Sequence, residues 1–234
     1  MGSFSSNTDY HYQTLRVNVD LLKIIQLGIT FVNEHGEFPD GCPTFQFNFK
    51  FSLEEDIYAQ DSIDLLKRSG IDFHEHQEKG INIHTFAELF ISSGLILCDD
   101  IKWISFHSGY DFGYLLKLLT DTFLPSEEIQ FFQLLRTYFP YIYDVKHMML
   151  ISDDLKGGLQ KLSEDLQIER IGPMHQAGSD SLLTAATFFK LRQIYFNNYI
   201  DDNKYNGVLY GLGSNHTYNV LSREPVTPSS TPMG

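Results

Sequence analysis

Ile101-Lys-Trp-Ile-Ser-Phe-His-Ser-Gly-Tyr-Asp111-Phe-Gly-Tyr-Leu-Leu-Lys117 reads as a short buried strand, a tight turn around Gly109 and a helix starting near Asp111. A carboxylate where a strand hands over to a helix sits at the carboxyl edge of a sheet, where open α/β folds bind ligands. A second acid follows in His175-Gln-Ala-Gly-Ser-Asp180-Ser-Leu-Leu-Thr184, again in the opening turn of an apolar helix. Taken singly, each residue has an ordinary explanation. Asp111 suits a helix N-cap, Asp180 the same with Ser179 beside it, and His175 a loop. Taken together, two acids at helix starts can meet across one cleft, with a histidine one loop away to poise a water. That set points to metal-assisted phosphodiester chemistry. A two-metal site needs several carboxylates bridging ions roughly 3.5–4 Å apart, so two aspartates require further acids.

Outward from this stretch, strands alternate with helices. Upstream, Tyr12, Leu15, Val19 and Leu22 recur at helical spacing behind a cap at Asn7 or Thr8. Ile24 to Val32 reads as a buried strand, and Asn33-Glu-His-Gly36 as a turn. Thr44 to Phe51 alternates, with Phe45, Phe47, Phe49 and Phe51 on one face and Gln46, Asn48 and Lys50 on the other. The two strands predict an antiparallel pair. Ser52 and Glu55 have capping-box spacing, and Asp61 to Ser69 a short helix ended by Gly70. His74 and His76 read as solvent-facing loop residues, and Thr85 to Phe90 as helical. Downstream come a helix from Pro125 through Tyr138, a strand Tyr141 to Asp144, a helix Leu159 to Leu166 and a long helix Ser181 to Tyr199. An α/β or α+β mixed sheet opened by an antiparallel pair is expected, over residues 1–213, with a disordered Pro/Ser/Thr-rich tail at 214–234.

Composition narrows the function. The 234 residues, with 19 Phe and 13 Tyr, suffice for a proper core. No apolar run is long enough to span a bilayer, so no membrane is expected, and the first twenty residues hold no secretory signal. Cys42 and Cys98 lie outside any CxxC pattern, which argues against a disulfide framework or thiolate metal site. The Asn215-His-Thr217 sequon is accordingly discounted. A net charge of −13 argues against a long electrostatic grip on nucleic acid. A nucleic-acid substrate would need divalent ions to neutralise a carboxylate pocket that engages only a few nucleotides.

Ser105-Phe-His-Ser-Gly-Tyr-Asp-Phe-Gly-Tyr-Leu115, Tyr143-Asp-Val-Lys146, Leu155-Lys-Gly-Gly-Leu-Gln160 and Glu169-Arg-Ile-Gly-Pro-Met-His-Gln-Ala-Gly-Ser-Asp-Ser-Leu-Leu-Thr184 resemble the Caf/Pop subunit of the eukaryotic Ccr–Not deadenylation complex. The resemblance runs from about Gly2 to Gly213. It implies a DEDD exoribonuclease with an RNase H-like sheet flanked by helices, shortening poly(A) tails of mRNA from the 3′ end with two divalent ions, Mg²⁺ or Mn²⁺. It further implies that Asp111 and Asp180 are metal ligands and that His175 acts on the attacking water. Expected partners are poly(A) RNA, the Ccr–Not scaffold, the partner deadenylase and BTG/Tob proteins, and the expected location is both cytoplasm and nucleus.

One departure qualifies the expectation. The family's first motif, a strand carrying Asp-x-Glu followed by Phe-Pro-Gly, would precede Met1, which reads as an internal start. Gly36-Glu-Phe-Pro39 imitates it, but His35 stands where the aspartate belongs, so Glu37 is read as a decoy. Without that strand, two sheet edges would be unpaired and the metal site incomplete. The alternative reading is therefore a non-catalytic interaction subunit, or truncated isoform, of the complex.

Overall fold

Strands β1 (Gln26–Thr30) and β2 (Thr44–Asn48) pair antiparallel, with Gly28 opposite Gln46. The period-two alternation gives this ribbon two different faces. Leu27, Ile29 and Phe47 join the main core, where the Phe47 and Phe86 rings lie 4.9 Å apart. Phe45 continues the same stripe but runs out to solvent, 45% exposed. The opposite face carries Gln26, Gly28, Thr30, Thr44, Gln46 and Asn48. The computed structural model describes residues 8–213. The cap at Asn7, the sequon and the tail expected over 214–234 lie outside them.

The next segment departs from expectation twice. The Ser52–Glu55 capping box does not open a helix. Ser52 N–H donates to Asp56 Oδ2 (2.9 Å) while its Oγ accepts from Glu54 N–H (3.3 Å), closing a turn instead. Asp56 wins this contest over Glu55 because its carboxylate also pairs with Lys23. Helix α2 (Gln60–Arg68) starts later. His74 and His76 lie not in a loop but in α3 (Phe73–Lys79), capped by Asp72, whose Oδ1 accepts from His74 N–H at 2.9 Å. His74 is exposed, whereas His76 is 4% exposed, with Nδ1 2.8 Å from the Phe49 carbonyl oxygen. A buried imidazole here gives a polar partner to backbone that would otherwise be stranded. Helix α4 (Ile83–Ile91), capped by Asn82, follows.

Strand β3 (Lys102–Ser105) runs parallel to β4 (Tyr141–Asp144), with Ser105 opposite Asp144. Between them come α5 (Gly109–Thr120) and α6 (Glu128–Tyr138). Leucines at helical spacing bury α5 against α1 (Thr8–Leu21), on which Tyr12, Leu15 and Val19 are buried as their spacing predicts. The approach is close enough that a Cβ on Gly113 would lie 3.0 Å from Val19 Cγ2. Lys117 reaches across from α5 and donates to the carbonyls of Val19 (2.8 Å), Asp20 (2.9 Å) and Leu22 (3.2 Å). These include carbonyls that the end of α1 leaves without helical partners.

After α7 (Val145–Met148) and α8 (Leu159–Asp165) comes α9 (Ala177–Tyr195), which packs on β1, β2, β3 and α8 together. It ends before the expected Tyr199 because Asn197 and Asn198 turn left-handed (φ 49° and 62°). A short α10 (Asp202–Tyr205) completes the order. Among the described residues β1 pairs only with β2, and β3 only with β4. The mixed α/β architecture is thus two small sheets bridged by α9. Both β1 and β3 line one cleft of about 1440 Å³ between them.

Candidate active site

Asp111 reaches the cleft through a turn built by Asp144. At the carboxyl end of β4, fully buried, Asp144 accepts four backbone N–H bonds. They come from His107 (2.7 Å), Ser108 (3.3 Å), Lys146 (3.0 Å) and Tyr210 (3.0 Å). The first two fix the link from β3 to α5, where the tight turn falls on His107 (φ 55°) rather than around Gly109. Ser108, 0% exposed, is the N-cap of α5, and its hydroxyl accepts from Ser105 Oγ at 2.6 Å. Asp111 is therefore not the N-cap that its position suggested. It lies inside the first turn, where a carboxylate faces the positive end of the helix.

Asp111 lines the cleft and is exposed to its solvent, with protein packed around the carboxylate's approach. That enclosure raises its carboxyl from 3.8 to about 6. The charges of Asp144 and Asp180 push the same way, and its own backbone N–H pulls against them. No side chain among the described residues donates to it, so it is a carboxylate short of a positive partner.

Asp180 also lies in a first turn, that of α9, which starts at Ala177 rather than Ser181; the N-cap is Gln176. No side chain of α9's own N-cap satisfies the free N–H groups there. The polar face of the β1–β2 ribbon does so instead. Gly178 N–H donates to Gln46 Oε1 (2.9 Å) and Ala177 N–H to Gln26 Oε1 (3.3 Å). Both glutamine amides donate in turn to Gln176 Oε1, at 3.2 Å from Gln26 and 3.1 Å from Gln46. Thr30 and Ser181 hydroxyls add a 2.8 Å contact. The polar face of the ribbon thus seats the helix that carries Asp180.

Asp180 Oδ1 accepts a 2.6 Å bond from Arg170 Nη1. Arg170 is itself held by Gln160 Oε1 (2.8 Å, to Nε) and Ser179 Oγ (3.1 Å, to Nη1). His175 sits on the exposed loop before α9 with left-handed backbone (φ 62°). Asp111, His175, Asp180 and Arg170 all line the one cleft, so the three residues singled out from sequence share it. Asp144, Arg170, Gln26, Gln46 and Gln176 went unrecognised. The only hint of the glutamines was the polar alternation of the strands. His74, His76 and Glu37 do not line the cleft; Glu37 accepts from Asn33 Nδ2 at 2.7 Å in the β1–β2 turn. Among the described residues no three His, Cys, Asp or Glu side chains gather in a metal-binding group.

A profile of the CAF1 family ribonucleases matches residues 91–188. A probable CCR4-associated factor 1 homolog 7 of Arabidopsis thaliana is 54% identical over 220 residues, covering 91% of this chain and 79% of that protein. The poly(A) ribonuclease pop2 of Schizosaccharomyces pombe is 55% identical over 214 residues, covering 92% of this chain and 64% of that protein. The solved structure of S. pombe Pop2p in its Mg²⁺- and Mn²⁺-bound form superposes with a TM-score of 0.86 at 54% identity, covering 91% of this chain and 84% of that one. CAF1 co-crystallised with the yeast NOT1 MIF4G domain gives 0.76 at 33% identity, covering 90% and 83%. The mixed α/β fold is the one these ribonuclease structures share, and the chain belongs to the CAF1 ribonuclease family.

Proposed function

We propose that this chain is a divalent-metal 3′-to-5′ exoribonuclease acting on poly(A) RNA, working as a subunit of a Ccr–Not assembly through a NOT1-type scaffold. The observation that carries the reading is the placement of Asp111 and Asp180 in the opening turns of two helices that face one cleft, with His175 and Arg170 beside them. The names of the relatives, a poly(A) ribonuclease and a CAF1 bound to NOT1, supply the substrate and the scaffold.

The donor set fits a hard cation. Asp111 is a carboxylate without a cationic partner, raised by its enclosure and its acidic neighbours, and a bound ion relieves all of that strain. Mg²⁺ is commonly held by one or two carboxylates, with waters and substrate phosphates filling the rest of its shell. Asp111 and Asp180 would hold it. When bound, such an ion lowers the pKa of water and offsets charge on phosphoryl oxygens. His175, on a loop open to the cleft, accepts the proton of the attacking water. Asp144 holds the turn that aims Asp111, and the glutamines of β1 and β2 hold the start of α9 that aims Asp180.

A non-catalytic subunit is the second reading, favoured by the absence of a three-ligand group among the described residues. One assay separates the two. Purified protein is incubated with labelled oligo(A), with and without Mg²⁺, beside the Asp180→Ala variant. Mg²⁺-dependent trimming that the substitution abolishes establishes the nuclease. No trimming by the wild type, with scaffold binding retained, establishes the interaction subunit.

A further inference from the structure

The site has a poised cation of its own. The Arg170 side chain is 11% exposed, and three acceptors fix two of its three nitrogens, Nε on Gln160 and Nη1 on Ser179 and Asp180. Nη2 bonds to no described residue and is not among the buried unpaired atoms, so it remains accessible to solvent, and Arg170 lines the cleft. The other cations there are engaged or turned elsewhere. Arg192 spends both terminal nitrogens on the Glu34 carbonyl oxygen (3.0 Å each) and stacks over Phe189, while Lys102 pairs with Asp202 at 3.9 Å.

We propose that Arg170 is a substrate-binding residue, donating through Nη2 to a phosphate oxygen of the RNA backbone in the cleft. The proposal rests on the nuclease reading of the site. A planar guanidinium held at Nε and Nη1, with Nη2 left over, is preorganised for a phosphate oxygen, because the entropy of ordering the long side chain is already spent. In a chain of net charge −13, a single fixed cation among carboxylates also explains how a polyanion is accepted without a basic stripe. Its bond to Asp180 then has a second use: it keeps the guanidinium beside a carboxylate that would hold the ion.

The test is fluorescence anisotropy of 5′-labelled oligo(A) with the whole chain in Ca²⁺, across a series of KCl concentrations. It is paired with Mn²⁺ binding followed by EPR of the free ion. Arg170→Gln is expected to weaken RNA binding about tenfold or more. It should also flatten the salt dependence by about 0.7 in log–log slope, the signature of one lost phosphate contact on a single strand. Mn²⁺ affinity should hold or tighten, since Asp180 is released. Equal RNA affinity and slope in wild type and variant overturns the proposal and leaves the nuclease reading standing. A variant that loses Mn²⁺ together with RNA overturns it too, because Arg170 then merely orients Asp180. Failure of the wild type to bind oligo(A) overturns both readings at once. If Arg170→Gln does not fold, Arg170→Lys decides. A lysine keeps the charge but cannot bridge Gln160, Asp180 and a phosphate together, so affinity should fall several-fold, and undiminished affinity overturns the proposal.

Discussion

Asp144 Oδ1 accepts a 2.7 Å hydrogen bond from the backbone N–H of His107, the left-handed residue of the turn that launches α5. The same carboxylate takes the N–H groups of Ser108, Lys146 and Tyr210, so three segments of chain converge on one buried charge. Removing it strands four donors in the interior. Asp144→Ala should therefore cost about 3–5 kcal/mol, against about 1 kcal/mol for Asp72→Ala at the exposed cap of α3. Urea denaturation of the two variants side by side checks this, and equal losses would refute the hub role of Asp144.

Asp111 couples stability to pH. Its folded value, about 6, lies above the ordinary 3.8, so the native state holds this proton more tightly than the unfolded chain. The contribution to stability is fully present below about pH 3.8 and is lost as pH rises through 6. Without metal, Asp111→Asn should accordingly melt higher than wild type at pH 7.5 and gain nothing at pH 4. The carboxylate touches cleft water and is screened, so the gain is about 1 kcal/mol, or roughly 2–4 °C for a domain of this size. Scanning calorimetry at both pH values, with chelator, measures it. A variant that melts lower than wild type at pH 7.5 contradicts the account. Adding Mn²⁺ should stabilise the wild type and not the variant.

How far such features could be read from sequence depended on whether the signal was local. The alternation of β2, the leucine spacing of α5 and the apolar run of β4 are local, and each marks an element the structure contains. Asp111 and Asp180 were legible as helix-opening acids for the same reason, though they sit three and four residues past the actual N-caps, Ser108 and Gln176. His76 was misread because its partner, the Phe49 carbonyl, is far away in sequence, and because Asp72 was not recognised as the cap of α3. Arg170 carries no spacing signal at all. Its meaning comes from Gln160 and Asp180, each ten residues away on opposite sides, which only the fold brings to one guanidinium.

Gly28 is where the β1–β2 ribbon bears on the start of α9. A Cβ built there would lie 1.9 Å from the Ala177 carbonyl oxygen and 2.7 Å from Gly178 N, both backbone atoms that cannot swing aside. Gly28→Ala should force the helix off the sheet, costing about 3 kcal/mol or more as an overpacked contact. It should also loosen the Gln26 and Gln46 bonds that seat Asp180. The expected result is a lower melting point together with weaker Mn²⁺ binding. A variant melting within a degree of wild type would mean the contact is softer than the structure shows.

Among the described residues no strand pairs with the outer edge of β1, and that edge makes a residue-by-residue prediction. Phe31 N–H donates to Pro43 and Phe49 N–H to Ile25, and in an antiparallel ladder the direction alternates from residue to residue. Leu27 and Ile29 therefore direct their N–H groups at β2, while Gln26, Gly28 and Thr30 direct theirs away, toward the cleft. In hydrogen exchange followed by NMR, Leu27 and Ile29 should be protected at the level of the core. Gln26, Gly28 and Thr30 should exchange as loop amides do. Protection at all five would mean that another segment or molecule covers the edge in solution. The same amides offer an unpaired template to a second chain, so heating at high protein concentration should produce β-rich association that starts at this edge. If it does, association and protection will rise together at Gln26, Gly28 and Thr30, and dilution will reverse both. Protection that is independent of concentration would instead place the covering strand within the same molecule.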